Sequence, residues 1–265
     1  MSFFARYPVC LFALCLVASG CFSFNFGKED FSAVKTRLGS CAPSPCVEVD
    51  IAALPEIPHS VTGDARVAIE AEIKRVLYAP LDVDNTKPSR DALIAEIDAR
   101  MREYDSVSDA EIDWSLTRTA KVVFSDSKVT SFEISNIGYL EGAHGFKDRS
   151  LMTFDSKSGR RLTVADLVEE SSRPTLNRIL EAEFRRARSI AAGQSLQDAG
   201  FFILPGQELP IGENFALSDK GLEIQYNPYE VAPYALGETR VNLPKEAIAP
   251  LVKANLSSVF TSSVL

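Results

Sequence analysis

The chain has 265 residues, a formal net charge of −8 and 46% hydrophobic residues, enough for one large domain or two smaller ones sharing a core. The acidity argues against nucleic acid and anionic lipid surfaces as partners. It suits a basic partner, or serves only to keep a secreted protein soluble. No repeat of fixed period and no long low-complexity segment is visible.

The N-terminus reads as an export signal. Arg6 is the only charged residue of the first twenty, an apolar run extends from Pro8 to Val17, and Ala18-Ser19-Gly20 precedes Cys21. That run is too short to span a bilayer, which takes about 20 apolar residues. The order of charge, apolar stretch and small residues is that of a secretory signal peptide. A cysteine directly after the small residues is the pattern of a bacterial lipoprotein, with Cys21 as the lipidation site; Ala18 stands where Leu or Val is usual. The alternative is ordinary cleavage and a soluble secreted product. Both readings place the protein outside the cytoplasm, and its contact with membrane is expected through the lipid anchor only.

Five cysteines are present, and Cys10 and Cys15 fall in the leader. Cys41 and Cys46 remain as an even pair in an oxidising compartment, separated by the turn-forming Ala-Pro-Ser-Pro, and a disulfide between them is expected. A metal site is not expected: it needs more ligands, and His59 and His144 are the only histidines.

Residues 22–40 read as a tether or loosely packed arm, although Phe22, Phe24, Phe26 and Phe31 suggest that part of it docks on the body. Val47 to Ile51 alternates apolar and polar residues like a half-buried strand. From Thr62 the pattern becomes helical, with Ile69, Ile73, Val76 and Leu77 on one face. Pro80 and Pro88 bound a loop, and Ser89 is placed to cap a second helix with Leu93, Ile97, Met101 and Tyr104 on its buried stripe. Strand patterns follow: Trp114 to Arg118, then a hairpin of Lys121–Phe124 and Val129–Ile137 around Ser125–Lys128. Ser150–Phe154 and Arg161–Val164 read as another hairpin. Pro174 suits the first turn of a helix carrying Leu176, Leu180, Phe184 and Ala187. Phe201–Leu204 reads as a short strand, Phe215–Leu217 and Leu222–Tyr226 as a third hairpin, and Val241–Leu243 as a last strand. Pro244 opens a C-terminal helix that Pro250 kinks or splits. The expected fold is α+β, with a mainly antiparallel sheet built of hairpins and packed against a few helices.

Two segments interrupt this alternation with glycine, proline and polar aromatics: Gly138 to Gly145 and Tyr226 to Tyr234. Tyrosines and carboxylates on loops over a rigid sheet make binding surfaces. The same residues also build bulges and corners, satisfying buried backbone groups. Tyr139, Glu141, His144, Tyr229, Glu230 and Tyr234 are the candidate partner-binding residues.

These segments carry a family resemblance. Tyr139-Leu140-Glu141-Gly142-Ala143-His144-Gly145, Met152-Thr153-Phe154-Asp155, Lys157-Ser158-Gly159 and Leu162 to Leu167 form one motif; Phe215 to Leu222 and Asn227 to Gly237 form a second. Together they resemble a bacterial extracytoplasmic domain found in lysozyme-sensing anti-sigma factors of the RsiV type and beside peptidoglycan deacetylase domains. Glu141 departs from the pattern by replacing the first glycine of a Gly-Gly pair. The resemblance implies a C-terminal RsiV-like domain at 146–265 preceded by a companion α+β domain at 46–145; ahead of these the residues themselves read as a signal peptide at 1–20 and a tether with its disulfide at 21–45. The anti-sigma relatives bind lysozyme, a basic protein, but signalling through a sigma factor is not expected here. The deacetylase relatives place catalysis in a separate metal-binding domain.

The expected function is therefore a cell-envelope binding module for a basic, lysozyme-like protein or a peptidoglycan fragment, without a cofactor and without enzymatic activity. The alternatives are a glycan-acting enzyme using Glu141 and Glu230, which would need two carboxyl groups about 5–9.5 Å apart, and a structural envelope lipoprotein. No nucleophile elbow, phosphate loop or metal-ligand spacing is present in the sequence.

Overall fold

Eight strands, arranged as two sheets, dominate the computed structural model, which describes residues 32–39, 46–81, 88–107, 113–140 and 142–260. The expected leader at 1–20, Cys21, Cys41 and Glu141 lie outside the described residues. The first sheet has five strands in the order β1 (Val34–Gly39), β2 (Cys46–Ile51), β3 (Asp113–Ser125), β4 (Val129–Tyr139) and β5 (Phe146–Asp155). Its pairs are antiparallel except β2–β3, which is parallel. A parallel pair needs a crossover, and two helices supply it: α1 (Gly63–Leu77) and α2 (Arg90–Val107). The second sheet is an antiparallel meander of β6 (Phe215–Ser218), β7 (Gly221–Tyr226) and β8 (Thr239–Pro244). The fold is α+β with mostly antiparallel sheets, as the patterning implies. The boundary expected between 145 and 146 falls between two paired strands of one sheet.

Three local expectations change. Val34–Gly39, read as tether, is an edge strand paired with β2 through alternating contacts from Val34↔Ile51 to Gly39↔Cys46. Arg161–Val164 is not a strand: after a single bridge between Phe154 and Arg161, the chain turns into the short helix α3 (Val164–Leu167). Phe201–Leu204 has the alternating burial of a strand, with Phe201 and Ile203 buried and Phe202 and Leu204 exposed, but it joins no ladder. Periodicity reports which face is apolar; it does not supply a hydrogen-bonding neighbour. Cys46 heads β2, is buried, and is disulfide-bonded.

Strand alternation gives the first sheet two different faces. Trp114, Leu116, Phe132, Ile134, Met152 and Phe154 pack with Ile69, Ile73 and Leu77 of α1 and Leu93, Ile97 and Met101 of α2 in one core. Ser89 caps α2 through the Ala92 N–H, 3.2 Å from its Oγ. On the other face, Ser131 donates its hydroxyl to the Leu217 carbonyl at 2.7 Å, and the Thr153 hydroxyl accepts from the Leu217 N–H at 3.0 Å. These bonds seat β6 against β4 and β5. The second core forms between the second sheet and α4 (Arg173–Ala187), whose Leu176, Leu180 and Phe184 are fully buried. Pro174 lies in the first turn of α4, where a missing N–H costs nothing. The expected C-terminal helix is the single turn α5 (Lys245–Ile248), which ends before Pro250.

The start of α3 depends on one carboxylate. Asp166 accepts from the Thr163 N–H and hydroxyl, each at 2.8 Å, and from both terminal nitrogens of Arg160 at 2.8 Å. The Arg160 hydrogen bonds, with those from Thr163, hold its carboxyl well below the usual carboxylate range. A depressed folded pKa contributes stability that is complete above the unfolded value of about 3.9 and is lost as pH falls below it. Wild-type stability should therefore drop between about pH 4 and pH 2. Asp166→Asn should start lower at neutral pH and lose less over that interval, as measured by urea denaturation across pH. An identical acid slope in the variant would contradict this role.

Candidate functional site

The two irregular segments meet. The first, between β4 and β5, is a loop closed by glycines: a Cβ on Gly145 would lie 2.7 Å from the Gly138 carbonyl oxygen, so only glycine permits that approach. The second connects β7 to β8. Its anchor is Asn227, whose Oδ1 accepts from the Arg149 N–H at 2.8 Å while its Nδ2 donates to the Arg149 carbonyl at 3.0 Å and to Glu230 Oε1 at 3.2 Å. The anchored chain then makes a tight turn, with the Glu230 N–H donating to the Asn227 carbonyl at 3.2 Å. Pro228 and Tyr229 occupy its central positions, and Tyr229 has φ of +72°. That is the second central position of a type II turn, normally glycine or asparagine.

An aromatic cluster results. The His144 ring stacks on Tyr234 with centroids 3.8 Å apart and planes inclined by 18°. Tyr229 lies 5.9 Å from Tyr234, and its hydroxyl is 3.3 Å from His144 Nε2. The carbonyl of Gly145 accepts from His144 Nδ1 at 2.8 Å and from the Tyr234 hydroxyl at 2.7 Å. A donating Nδ1 fixes the neutral tautomer, so Nε2 accepts from the Tyr229 hydroxyl. Tyr229 remains 59% exposed. Glu230 is also exposed. Tyr139 belongs to the first loop, with its hydroxyl donating to the Gly142 carbonyl at 2.9 Å, but its ring packs on the first core rather than on the aromatic trio. Four of the six candidate residues, His144, Tyr229, Glu230 and Tyr234, thus come together; Tyr139 flanks them, and Glu141 lies outside the described residues.

Sequence reasoning missed two groups here. The Phe202 N–H donates to the Val231 carbonyl at 2.8 Å, which sets an exposed Phe202 (53%) and nearby Leu204 (49%) beside the second loop. Their alternation with buried neighbours read as a strand and hid them. The other is an ion network around Arg149, the residue that anchors the second loop. Buried Glu133 binds Arg149 at 2.7 Å, Arg240 at 3.1 Å and Lys121 at 3.4 Å, while Glu238 binds Lys147 at 2.8 Å and Arg149 at 3.0 Å. Burial pushes Glu133 up, but Arg240, Lys121 and Arg149 together hold it below its ordinary value. Lone charged residues on separate strands give no sequence signal that they will converge. Among the described residues, no group of three or more His, Cys, Asp or Glu side chains is placed to hold a metal ion.

Comparison with known proteins bears on the second loop. Residues 165–246 match the family described as Protein of unknown function (DUF3298). That segment contains Asn227, Tyr229, Glu230 and Tyr234. Over the wider chain, the structure is similar to a crystal structure of a DUF3298 family member from Bacteroides fragilis, with a TM-score of 0.63 at 15% identity, covering 87% of this chain and 96% of that one. It is also similar to a DUF3298 family protein from Pseudomonas aeruginosa, with a TM-score of 0.54 at 17% identity, covering 85% and 94%. These likenesses establish a shared fold. No curated protein matches the sequence.

A tyrosine in a left-handed conformation costs on the order of 1–3 kcal/mol. Tyr229→Gly should remove that strain. The expected outcome is a melting temperature equal to or above wild type despite the loss of an aromatic ring. A loss of more than about 1 kcal/mol in urea denaturation would mean that the ring itself stabilises the fold.

Proposed function

We propose that the protein is an extracytoplasmic binding module, held at the cell envelope through Cys21, whose recognition surface is the His144–Tyr229–Tyr234 cluster with Glu230, extended by Phe202 and Leu204. One observation carries this reading: Tyr229 is kept at a strained φ of +72° with most of its ring in solvent. A fold that needed only a turn there would be better served by glycine. Tyrosine offers large, rigid contact area at small entropic cost, and aromatic residues are enriched in interface cores. Two exposed apolar side chains beside the cluster enlarge the surface beyond what a small glycan contact needs, which favours a protein ligand. The net charge of −8 and exposed Glu230 favour a basic one. The motif resemblance to lysozyme-sensing proteins points the same way, so a lysozyme-like protein is the partner class to test first. The segment that matches DUF3298 supplies five of these six residues, all but His144.

Biolayer interferometry of the mature protein, with a basic c-type lysozyme and with soluble muropeptides in parallel, tests the reading. Lysozyme should bind with an affinity that weakens as salt rises. Tyr229→Gly and Phe202→Ser should each weaken binding about tenfold or more, the loss expected for a residue worth ~1.4 kcal/mol, with no fall in melting temperature. Binding only to muropeptides, or full affinity in both variants, would overturn it.

A further inference from the structure

A second site lies on the opposite, helix-facing side of the first sheet. A cavity of about 440 Å³ opens between the C-terminal end of α1, α2 and strands β3–β5. Its floor is a polar row: Arg118, Asn136 and Asp148 are direct cross-strand neighbours on β3, β4 and β5. Ser150 lies two residues along β5 from Asp148, opposite Ile134. Val76, Pro80, Leu81, Leu140 and Phe146 form an apolar wall, and Arg100 adds a second cation at the lining.

The groups in the row are poised but not paired with one another's charges. Arg118 is only 4% exposed and makes no ion pair among the described residues. Its Nη1 donates to the Leu77 and Ala79 carbonyls at 3.1 and 2.5 Å, and its Nε donates to Asn136 Oδ1 at 3.0 Å. Nη2 has no hydrogen-bond partner among the described residues, nor has the amide nitrogen of Asn136. Burial lowers Arg118 to about 10, so it stays cationic at neutral pH. Asp148 lies at the exposed end of the row and has no side-chain hydrogen bond or ion pair among the described residues; partial desolvation and the nearby Glu238 charge raise its pKa.

We propose that this cavity binds a short zwitterionic ligand, an amino acid or dipeptide with an apolar side chain. The ligand carboxylate meets Arg118 Nη2, its ammonium meets Asp148, a peptide carbonyl accepts from the Asn136 amide, and the side chain covers the apolar wall. A concave site of this size, mostly apolar with a few convergent polar groups, has the proportions of a small-molecule pocket. The site is independent of the aromatic surface, so either can fail without the other.

Heteronuclear NMR titration of the mature protein tests it with three probes: Ala-Leu, N-acetyl-Ala-Leu and Ala-Leu-amide. Ala-Leu should shift the amides of residues 134–136 and 148–150 saturably, and each blocked peptide should bind at least tenfold more weakly. Asp148→Asn, at an exposed position compatible with folding, should weaken Ala-Leu about tenfold while leaving N-acetyl-Ala-Leu unchanged. Equal binding of blocked and free peptides, shifts confined to other residues, or no shift at millimolar Ala-Leu would overturn the proposal.

Discussion

The outer edge of β5 is the constraint on which the rest of the molecule depends. β5 ends the five-stranded sheet, so its outward N–H and C=O groups have no strand to pair with. An unpaired edge next to a second sheet is costly if buried and hazardous if exposed. Two asparagine side chains resolve this. Asn214 accepts from the Leu151 N–H at 2.6 Å and donates to the Arg149 carbonyl at 2.9 Å, and Asn227 does the same for both backbone groups of Arg149. A carboxamide presents one acceptor and one donor side by side, as a neighbouring strand does. The second sheet is thereby attached to the first without joining it.

The functional features follow from that attachment. Because Asn227 is fixed on Arg149, the turn that follows it is carried to the loop containing His144, and Tyr229 and Tyr234 close over the imidazole. Because Arg149 is fixed by its backbone, its guanidinium can reach both Glu133 on β4 and Glu238 just ahead of β8. The alternate residues of the same strand, Phe146, Asp148 and Ser150, point the other way and line the helix-side cavity. One strand thus anchors the proposed recognition surface on one side and supplies the polar floor of the cavity on the other. Burying Glu133 is tolerable because three cations surround it; removing any one leaves the others to share the charge.

Much of this architecture was legible. Ile69, Ile73 and Leu77 at helical spacing, Ser89 before the second helix, Pro174 at the start of α4, and the polar turns at 125–128 and 219–221 each carry local chemistry that decides the element. The failures share one cause. Arg161–Val164 and Phe201–Leu204 have strand-like patterns but no partner ladder, and Val34–Gly39 has a partner that nothing local announces; pairing is a tertiary property. At the site, the glycines and tyrosines marked two segments that the fold brings into contact. The sequence could not separate Asn227, which holds the backbone, from Tyr229, which faces solvent. That division appears only when the segment is seen against β5.

The account rests on Asn227 acting as a surrogate strand, and amide hydrogen exchange at Arg149 tests this most directly. In Asn227→Ala, the Arg149 N–H loses its acceptor. The account predicts that its protection falls by roughly tenfold or more, since a hydrogen bond left unmade costs about 1–3 kcal/mol, while amides in the middle of β4 keep theirs. Unchanged protection at Arg149 in the variant would show that the edge is held by something else, and the placing of the aromatic loop would need a different explanation.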